Sequence, residues 1–212
     1  MKIAIVAFDN MAALDAIGPF EVLAHLPGAT MHWVGLAQGV VRSEENSGVG
    51  IQVDELIEDV PHPDIVVVPG GAGELELRSN DRFVNWLRTA HETTTWTTSV
   101  CTGSLLLGAA GLLQGKRATS HWLALDVLRT FGAEPTLERV VVDGKVITAA
   151  GVSSGIDMAL RLAAEVAGEM VAQTIQLGIE YDPQPPFDAG SPLKAPQESV
   201  DLLRNSSRFI FS

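Results

Sequence analysis

A single cysteine is the residue of this sequence best suited to nucleophilic chemistry. Cys101 follows the β-prone run Thr97–Val100, and a stretch of small residues typical of a helix start comes directly after it. A sharp strand-to-helix turn, called a nucleophile elbow, exposes its nucleophile and needs small neighbours such as Ser99 and Gly103. The amides at a helix start favour thiolate over thiol. We therefore expect Cys101 to be a reactive thiolate, the alternative being a small buried apolar residue.

Two glycines end the most apolar run of the chain, Ile65–Val68. Gly70 and Gly71 would let backbone amides approach a ligand closely. Together with the amide of Thr102, they could form an oxyanion-type hole. An ordinary glycine turn is the alternative. A dinucleotide site is a weak interpretation, because no acidic residue follows a proper strand at the required distance.

Two acids and a histidine are further candidates. Asp15 and Glu21 are the charged residues of the apolar segment 14–23. Asp15 is either a helix N-cap or a functional carboxyl, whereas Glu21 suits a polar helix face or a supporting role. His121 is a candidate base or substrate-orienting group, with a buried structural histidine as the alternative. The other histidines lack ligand spacing, so no metal site is expected.

The order of the predicted elements indicates how these residues are positioned. Strands are predicted over Ile3–Phe8, Met31–Leu36, Ile65–Val68 and Thr94–Val100, and in a hairpin of Val140–Val142 and Lys145–Ala149 about a type I′ turn at Asp143-Gly144. Helices are predicted over 13–24 (beginning near Gly18 or kinked at Pro19), Arg82–His91, the stretch after Thr102, Trp122–Thr130, and 154–167 behind a capping box at Ser154 and Asp157. This alternation predicts an α/β three-layer sandwich with a mostly parallel central sheet, whose sites lie beyond the carboxyl ends of its strands.

Composition bounds the class of protein. The chain has 212 residues, of which 46% are hydrophobic and 19% charged, which predicts one domain over 1–212 with some apolar surface buried between subunits. A proline-rich arm over Tyr181–Pro196, anchored by Tyr181 and Phe187, is expected to precede a short terminal helix within Gln197–Arg208. A net charge of −12 disfavours binding to nucleic acid or to an anionic membrane.

Cysteine usage and the apolar stretches indicate a compartment. One cysteine excludes an intrachain disulfide and favours a reducing cytoplasm. The N-terminal apolar run stops at Asp9, too early for a signal peptide. The longest apolar stretch, Leu105–Leu113, is far short of a membrane span. A cytoplasmic protein is expected.

Taken together, these motifs resemble the superfamily of PfpI-like proteases and the parkinsonism-associated deglycase, which is related to class I glutamine amidotransferases. Within it, the sequence looks closest to the isonitrile (isocyanide) hydratases over essentially the whole chain. The motifs that carry this resemblance are Leu14-Asp15, Gly18-Pro19-Phe20-Glu21-Val22, Val67–Gly71, Cys101-Thr102-Gly103, Ala118–Trp122, Gly155-Ile156-Asp157 and Tyr181–Asp188.

The resemblance implies a flavodoxin-like fold and a set of roles. Cys101 would be the nucleophile and Asp15 the acid/base, and the backbone of Gly71 and Thr102 would stabilise an anion. A homodimer with sites near the interface, and no cofactor, would be expected. Two departures weaken the protease and deglycase alternatives: Thr102 stands where many relatives carry histidine, and Asp15 where many carry glutamate.

The expected reaction is hydration of an isonitrile to an N-substituted formamide. Its neutral, apolar substrate would contact Ile17, Trp122 and Val152, with Gly70 and His121 in supporting positions. Ligand-sensing domains of AraC-type regulators share several motifs, but the 45 residues after Ala167 are expected to be too few for their DNA-binding module. The alternatives kept are a glyoxalase- or deglycase-type reaction on 2-oxoaldehydes, and a redox-sensing cysteine without enzymatic activity.

Overall fold

A seven-stranded sheet forms the centre of the protein, for which the computed structural model describes residues 1–44 and 48–209. The strands are β1 (Lys2–Val6), β2 (Thr30–Gly35), β3 (Gly39–Arg42), β4 (Gly50–Val53), β5 (Glu55–Leu56), β6 (Ile65–Val68), β7 (Trp96–Val100), β8 (Arg117–Ala118), β9 (Glu134–Pro135), β10 (Val140–Asp143) and β11 (Val146–Ala149). The central sheet has the order β10-β11-β7-β6-β1-β2-β5, and β3-β4 and β8-β9 form two small sheets. Within the central sheet, β10 and β11 pair antiparallel and the other neighbours pair parallel. The predicted mostly parallel sheet is confirmed.

Helices cover both faces of this sheet. They are α1 (Ala13–Leu23), α2 (Glu74–Leu77), α3 (Asp81–Thr93), α4 (Gly103–Ala109), α5 (Leu125–Leu128), α6 (Ser154–Ala167), α7 (Glu169–Gly178) and α8 (Gln197–Asn205). The fully buried strand β6 shows why two layers are needed. Ile65 and Val67 pack in one core with α1, α6 and α7, and Val66 and Val68 pack in the other with α3 and α4. A strand buried on both faces reads as a continuous apolar run.

The sheet topology defines where a site is expected. The strand β1 pairs with β2 on one side and with β6 on the other. The chain therefore leaves β1 first toward one sheet edge and later returns to build the opposite one. In open α/β sheets, ligands bind beyond the carboxyl ends of the strands at such a switch point.

The first helix contains its proline instead of beginning at it. The helix α1 starts at Ala13, and Pro19 lies inside it, so the prediction of a start near Gly18 is wrong. The ring of Pro19 packs against α6 at Gly155, where an added Cβ would lie 3.1 Å from its Cδ. This close contact between α1 and α6 accounts for a proline inside the helix, because it offsets the cost of the missing hydrogen bond.

Local turn and cap chemistry differs from the predictions at two further places. Asp143 pairs with Val146, so the hairpin turn is centred on Gly144 and Lys145. A type I′ turn needs positive φ at both central residues and a type II′ turn only at the first. Of the two residues, only Gly144 has positive φ (61°), so the turn has the type II′ pattern. The carboxylate of Asp143 accepts from Arg117 N at 2.9 Å, which holds Asp143 in the strand.

The helix α6 has no capping box. Its N-cap is Ser153, which makes no side-chain cap hydrogen bond. The predicted partner Asp157 instead forms an ion pair with Arg139 and accepts from Tyr181 Oη at 3.0 Å. Tyr181 thus connects the first residue of the predicted arm to α6, whereas the side chain of Phe187 is exposed and makes no such contact.

The segment predicted as one helix over Trp122–Thr130 is divided. It forms a 3₁₀ turn (Trp122–Ala124), the short helix α5 and a second 3₁₀ turn (Arg129–Phe131). The first turn is capped by the side chain of His121, whose Nδ1 accepts from Leu123 N at 3.4 Å.

Across the two described stretches of chain, no helix combines the length and the apolar character needed to span a bilayer.

A partly buried histidine makes stability depend on pH. Burial, reinforced by the charges of Lys145 and Lys116, lowers the pKa of His91, whose Nδ1 lies 2.8 Å from Thr97 Oγ1. The unfolded chain therefore takes up a proton near pH ~6.5 that the folded chain refuses. We expect the free energy of unfolding to fall as pH drops from about 7.5 to 5.5, and His91→Gln to flatten that decline. Urea titrations at several pH values measure it, with the exposed His25→Gln as control; an equal decline in His91→Gln would contradict it.

Candidate active site

A fully buried carboxylate joins the first helix to the end of strand β6. Asp15 lies in the first turn of α1, whose N-cap is Ala12 and makes no side-chain cap hydrogen bond, so the capping interpretation is wrong. Its Oδ2 accepts from the amide of Gly70 at 2.9 Å. The chain places these residues 55 positions apart. A buried acid held by a remote backbone amide at a sheet switch point is positioned for chemistry more than for helix capping.

Cys101 lies on the turn between β7 and α4 with φ of 57°, an unusual value for a residue with a side chain. That conformation costs roughly 1–2 kcal/mol. The cost is met by hydrogen bonds on both sides of the residue. Its amide donates to the carbonyls of Ala149 (3.1 Å) and Ala150 (2.9 Å), and its carbonyl accepts from Ser104 Oγ (3.2 Å) and Ser120 Oγ (3.0 Å).

The glycine turn packs against the residue after the cysteine. An added Cβ at Gly70 would lie 2.5 Å from both the amide nitrogen and Oγ1 of Thr102. Gly71 has φ of 120° and its amide donates to Thr102 Oγ1 at 3.0 Å. The Gly71 amide is thus already engaged, which corrects the expectation that it stabilises an anion. The backbone groups that hydrogen-bond the sulfur are those of Val152 and Thr102.

The surroundings of Cys101 favour its thiol over its thiolate. Burial, and then the charge of Asp15, raise the pKa of Cys101 well above its usual range. Hydrogen bonds from Val152 and Thr102 oppose this shift, and the charge of Glu44 adds to it. This direction is opposite to the one expected for a resting thiolate. The helix start on which that expectation relied belongs to a seven-residue helix, too small an effect against burial and a nearby carboxylate.

The remaining predicted site residues lie at different depths. Burial, and then Arg208, lower the pKa of His121, whose ring packs at 2.8 Å against the Cβ position of Gly151. The ring centroid of Trp122 lies 6.0 Å from that of His121, with the two rings tilted by 32°. The side chain of Ile17 is half-buried and packs into the core that contains Cys101.

Two predicted residues need separate comment. Val152 was expected to offer its side chain to the substrate. That side chain is exposed, and the residue contacts the sulfur through a backbone hydrogen bond. Glu21 is exposed and lies 3.7 Å from His25, just beyond the end of α1, so it does not join the site.

Two contributors, Glu44 and Arg208, had no recognisable signal in the sequence, and a third, Ser120, lies in the motif Ala118–Trp122 but was given no role of its own. Ser120 holds the cysteine carbonyl, Glu44 accepts from Ala72 N at 2.7 Å, and Arg208 donates to Gly71 O at 2.9 Å. Each reaches the site from a segment distant in sequence. Among the described residues, no group of three or more histidine, cysteine, aspartate or glutamate side chains could hold a metal ion.

Comparison with known proteins identifies the family. The isonitrile hydratase of Pseudomonas putida is 45% identical over 204 residues, which span 96% of this chain and 89% of that protein. A THiJ/PfpI family protein from Pseudomonas syringae has a TM-score of 0.93 at 37% identity and covers 96% of this chain and 84% of its own. The HTH-type transcriptional regulator CdhR of Pseudomonas aeruginosa is 29% identical over 167 residues, spanning 78% of this chain and 49% of the regulator. The sequence profile of the DJ-1/PfpI family matches residues 1–165. The chain belongs to the DJ-1/PfpI family.

Proposed function

We propose that this protein hydrates isonitriles to N-substituted formamides, acting as a lyase without a cofactor. The observation that carries the proposal is the junction of Asp15, Gly70 and Cys101, a buried acid and a thiol at the carboxyl ends of β1, β6 and β7. The 45% identity to an isonitrile hydratase supports the choice of substrate.

The reaction begins with one proton shared by Cys101 and Asp15. While Asp15 is ionised, that proton stays on sulfur, because a thiolate beside a carboxylate in a buried site is unfavourable. Transfer of the proton to Asp15 produces the thiolate at the moment of attack. The sulfur forms a bond to the terminal carbon of R–N≡C, and Asp15 returns the proton to that carbon. The product is the covalent thioimidate R–N=CH–S–Cys101.

Water completes the cycle through the same carboxylate. Asp15 removes a proton from a water molecule, whose oxygen attacks the thioimidate carbon, and Asp15 then gives that proton to the nitrogen. The C–S bond of the tetrahedral adduct R–NH–CH(OH)–S–Cys101 then breaks while Asp15 carries the hydroxyl proton to the sulfur, releasing R–NH–CHO and returning the thiol of Cys101. Negative charge that develops on sulfur in these steps is stabilised by the amides of Thr102 and Val152.

The charges around the sulfur favour a neutral substrate. Both Asp15 and Glu44 act on the thiol as negative charges, and the whole chain carries −12. An anionic substrate would be repelled, whereas an isonitrile needs no counter-charge. The same thiol could add to the aldehyde of a 2-oxoaldehyde, which is also neutral, so the choice between the two is made by experiment.

The test compares the two substrates directly. The purified protein is incubated with an aryl isonitrile and, separately, with methylglyoxal, while formamide formation and aldehyde loss are followed by absorbance. We expect steady turnover of the isonitrile only. Turnover of methylglyoxal alone would replace the proposed reaction with a glyoxalase- or deglycase-type one. A protein that turns over neither, and gains a stable ~32 Da on Cys101 with peroxide, would be a redox sensor.

We also propose that the protein is a homodimer. Large apolar side chains stay exposed beside the site, at Leu14 and Val152, and on α7 at Met170 and Leu177. Exposed apolar residues in a chain with few charges favour burial against a second copy. Light scattering during size-exclusion chromatography tests this, and a monomer at micromolar concentration would contradict it.

A further inference from the structure

We infer that Arg208, near the C-terminus, is a positioning residue for the candidate active site: it holds the Gly71 carbonyl and so aligns the Gly70 amide with Asp15. This inference rests on the proposed function for its kinetic readout alone. Arg208 lies 137 positions from Gly71 in sequence and outside residues 1–165, which the family profile matches.

The glycine turn is a relay between the reacting groups and the arginine. The Gly70 amide donates to Asp15, and the Gly71 amide donates to Thr102 Oγ1. The carbonyl of Gly71, on the other side of the same residue, accepts from Arg208 Nη2 at 2.9 Å. Any shift of Gly71 therefore moves both the Gly70 amide, which donates to Asp15, and Thr102, which follows Cys101.

A buried carboxylate fixes the guanidinium in this place. The side chain of Glu74 is fully buried, with Arg78 Nε at 2.8 Å on one side and Arg208 Nη2 at 3.4 Å on the other. The amide of Glu74 also donates to Gly71 O at 3.2 Å. Glu74, Arg208 and Gly71 therefore each contact the other two, which forms a closed ring of interactions behind the turn.

The segment that carries Arg208 is itself docked near the site. In α8, Val200 is buried, and the guanidinium of Arg204 lies 5.9 Å from the ring centroid of Trp122. The neighbouring His121 senses the charge of Arg208. Arg208 therefore acts on both the glycine turn, by its hydrogen bond to Gly71 O, and the His121 segment, by its charge.

Three variants separate positioning from simple charge neutralisation. Arg208→Gln is expected to lower kcat for isonitrile hydration about tenfold, with KM within about twofold of the parent value. Arg208→Lys keeps a charged donor for Gly71 O and is expected to retain at least about half of kcat. Arg208→Gln leaves the buried charge of Glu74 with one partner fewer, so its melting temperature should fall. Adding Glu74→Gln removes that charge, so the double variant should melt closer to the parent while its kcat stays low. Arg161→Gln, in an exposed ion pair on α6, serves as control.

A second readout does not depend on the substrate. Cys101 is the one cysteine of the chain, so iodoacetamide alkylation reports on its thiol alone. A weakened Gly70 hydrogen bond draws the shared proton toward Asp15, so Arg208→Gln should raise the alkylation rate at pH 7 about threefold.

The outcomes are distinguishable. Unchanged kcat and alkylation in Arg208→Gln would overturn the inference, and so would recovery of kcat in the double variant, which would reduce Arg208 to a counter-charge for Glu74. Faster alkylation in a protein that hydrates no isonitrile would support the positioning role and reject the proposed function.

Discussion

Replacing Cys101 by serine or alanine is expected to lower isonitrile hydration by about 10³-fold or more, equivalent to roughly 4 kcal/mol of transition-state stabilisation. Serine keeps the size of the side chain, but its hydroxyl is a far weaker acid, and Asp15 is a poor base for generating an alkoxide. The positive φ at this position and the hydrogen bonds of its backbone do not involve the sulfur, so we expect both variants to keep them. We expect their melting temperatures to change by only a few degrees, at ~2–4 °C per kcal/mol.

Trapping the intermediate makes this prediction sharper. Addition of the thiol across the terminal carbon loses no atoms, so acid-quenched parent protein should gain the full mass of the isonitrile on the peptide that contains Cys101. The serine and alanine variants should show no such gain. Parent-like turnover in either variant would remove the cysteine from the mechanism, whatever the labelling shows.

The main elements of the fold are predictable from the sequence because burial leaves a strong pattern. The run Ile65–Val68 and the spacing of Phe83, Trp86, Leu87 and Ala90 identify β6 and α3, and all of these residues are buried. Prediction from the sequence fails where a contact with a distant residue overrides a local preference. Pro19 lies inside a helix because it packs against another, and Asp143 stays in its strand because its carboxylate binds a distant amide.

The sequence predicts the local geometry at Cys101 but not the electrostatics around it. A cysteine between a β-prone run and small helix-forming residues indicates a strand-to-helix turn, and Cys101 occupies one. Its protonation depends on how deeply the sulfur is buried and on where the Asp15 carboxylate lies, and neither quantity is local. Arg208 and Glu44 reach the site from loop and terminal segments without periodicity. Their roles follow from the fold, so pattern analysis has no signal for them.

Replacing Asp15 by asparagine is expected to change two rates in opposite directions. The amide oxygen can still accept from Gly70 N, so the shape of the site is kept. Proton transfer to and from the substrate is lost, which should lower hydration by about 10²- to 10³-fold. The negative charge that holds the thiol proton is lost as well. The pKa of Cys101 should fall, and iodoacetamide alkylation at pH 7 should accelerate about tenfold.

The opposed rates exclude simpler accounts of the same variant. A misfolded site would lose hydration and change alkylation without any fixed relation between them, and a bystander carboxylate would leave both unchanged. Asp64→Asn is the matched control, because Asp64 Oδ2 also accepts a backbone amide, from Lys2 at 2.7 Å, but at the amino end of the sheet. If alkylation instead slowed together with hydration in Asp15→Asn, Asp15 would be a group that ionises the thiol at rest, and the shared-proton mechanism would be wrong.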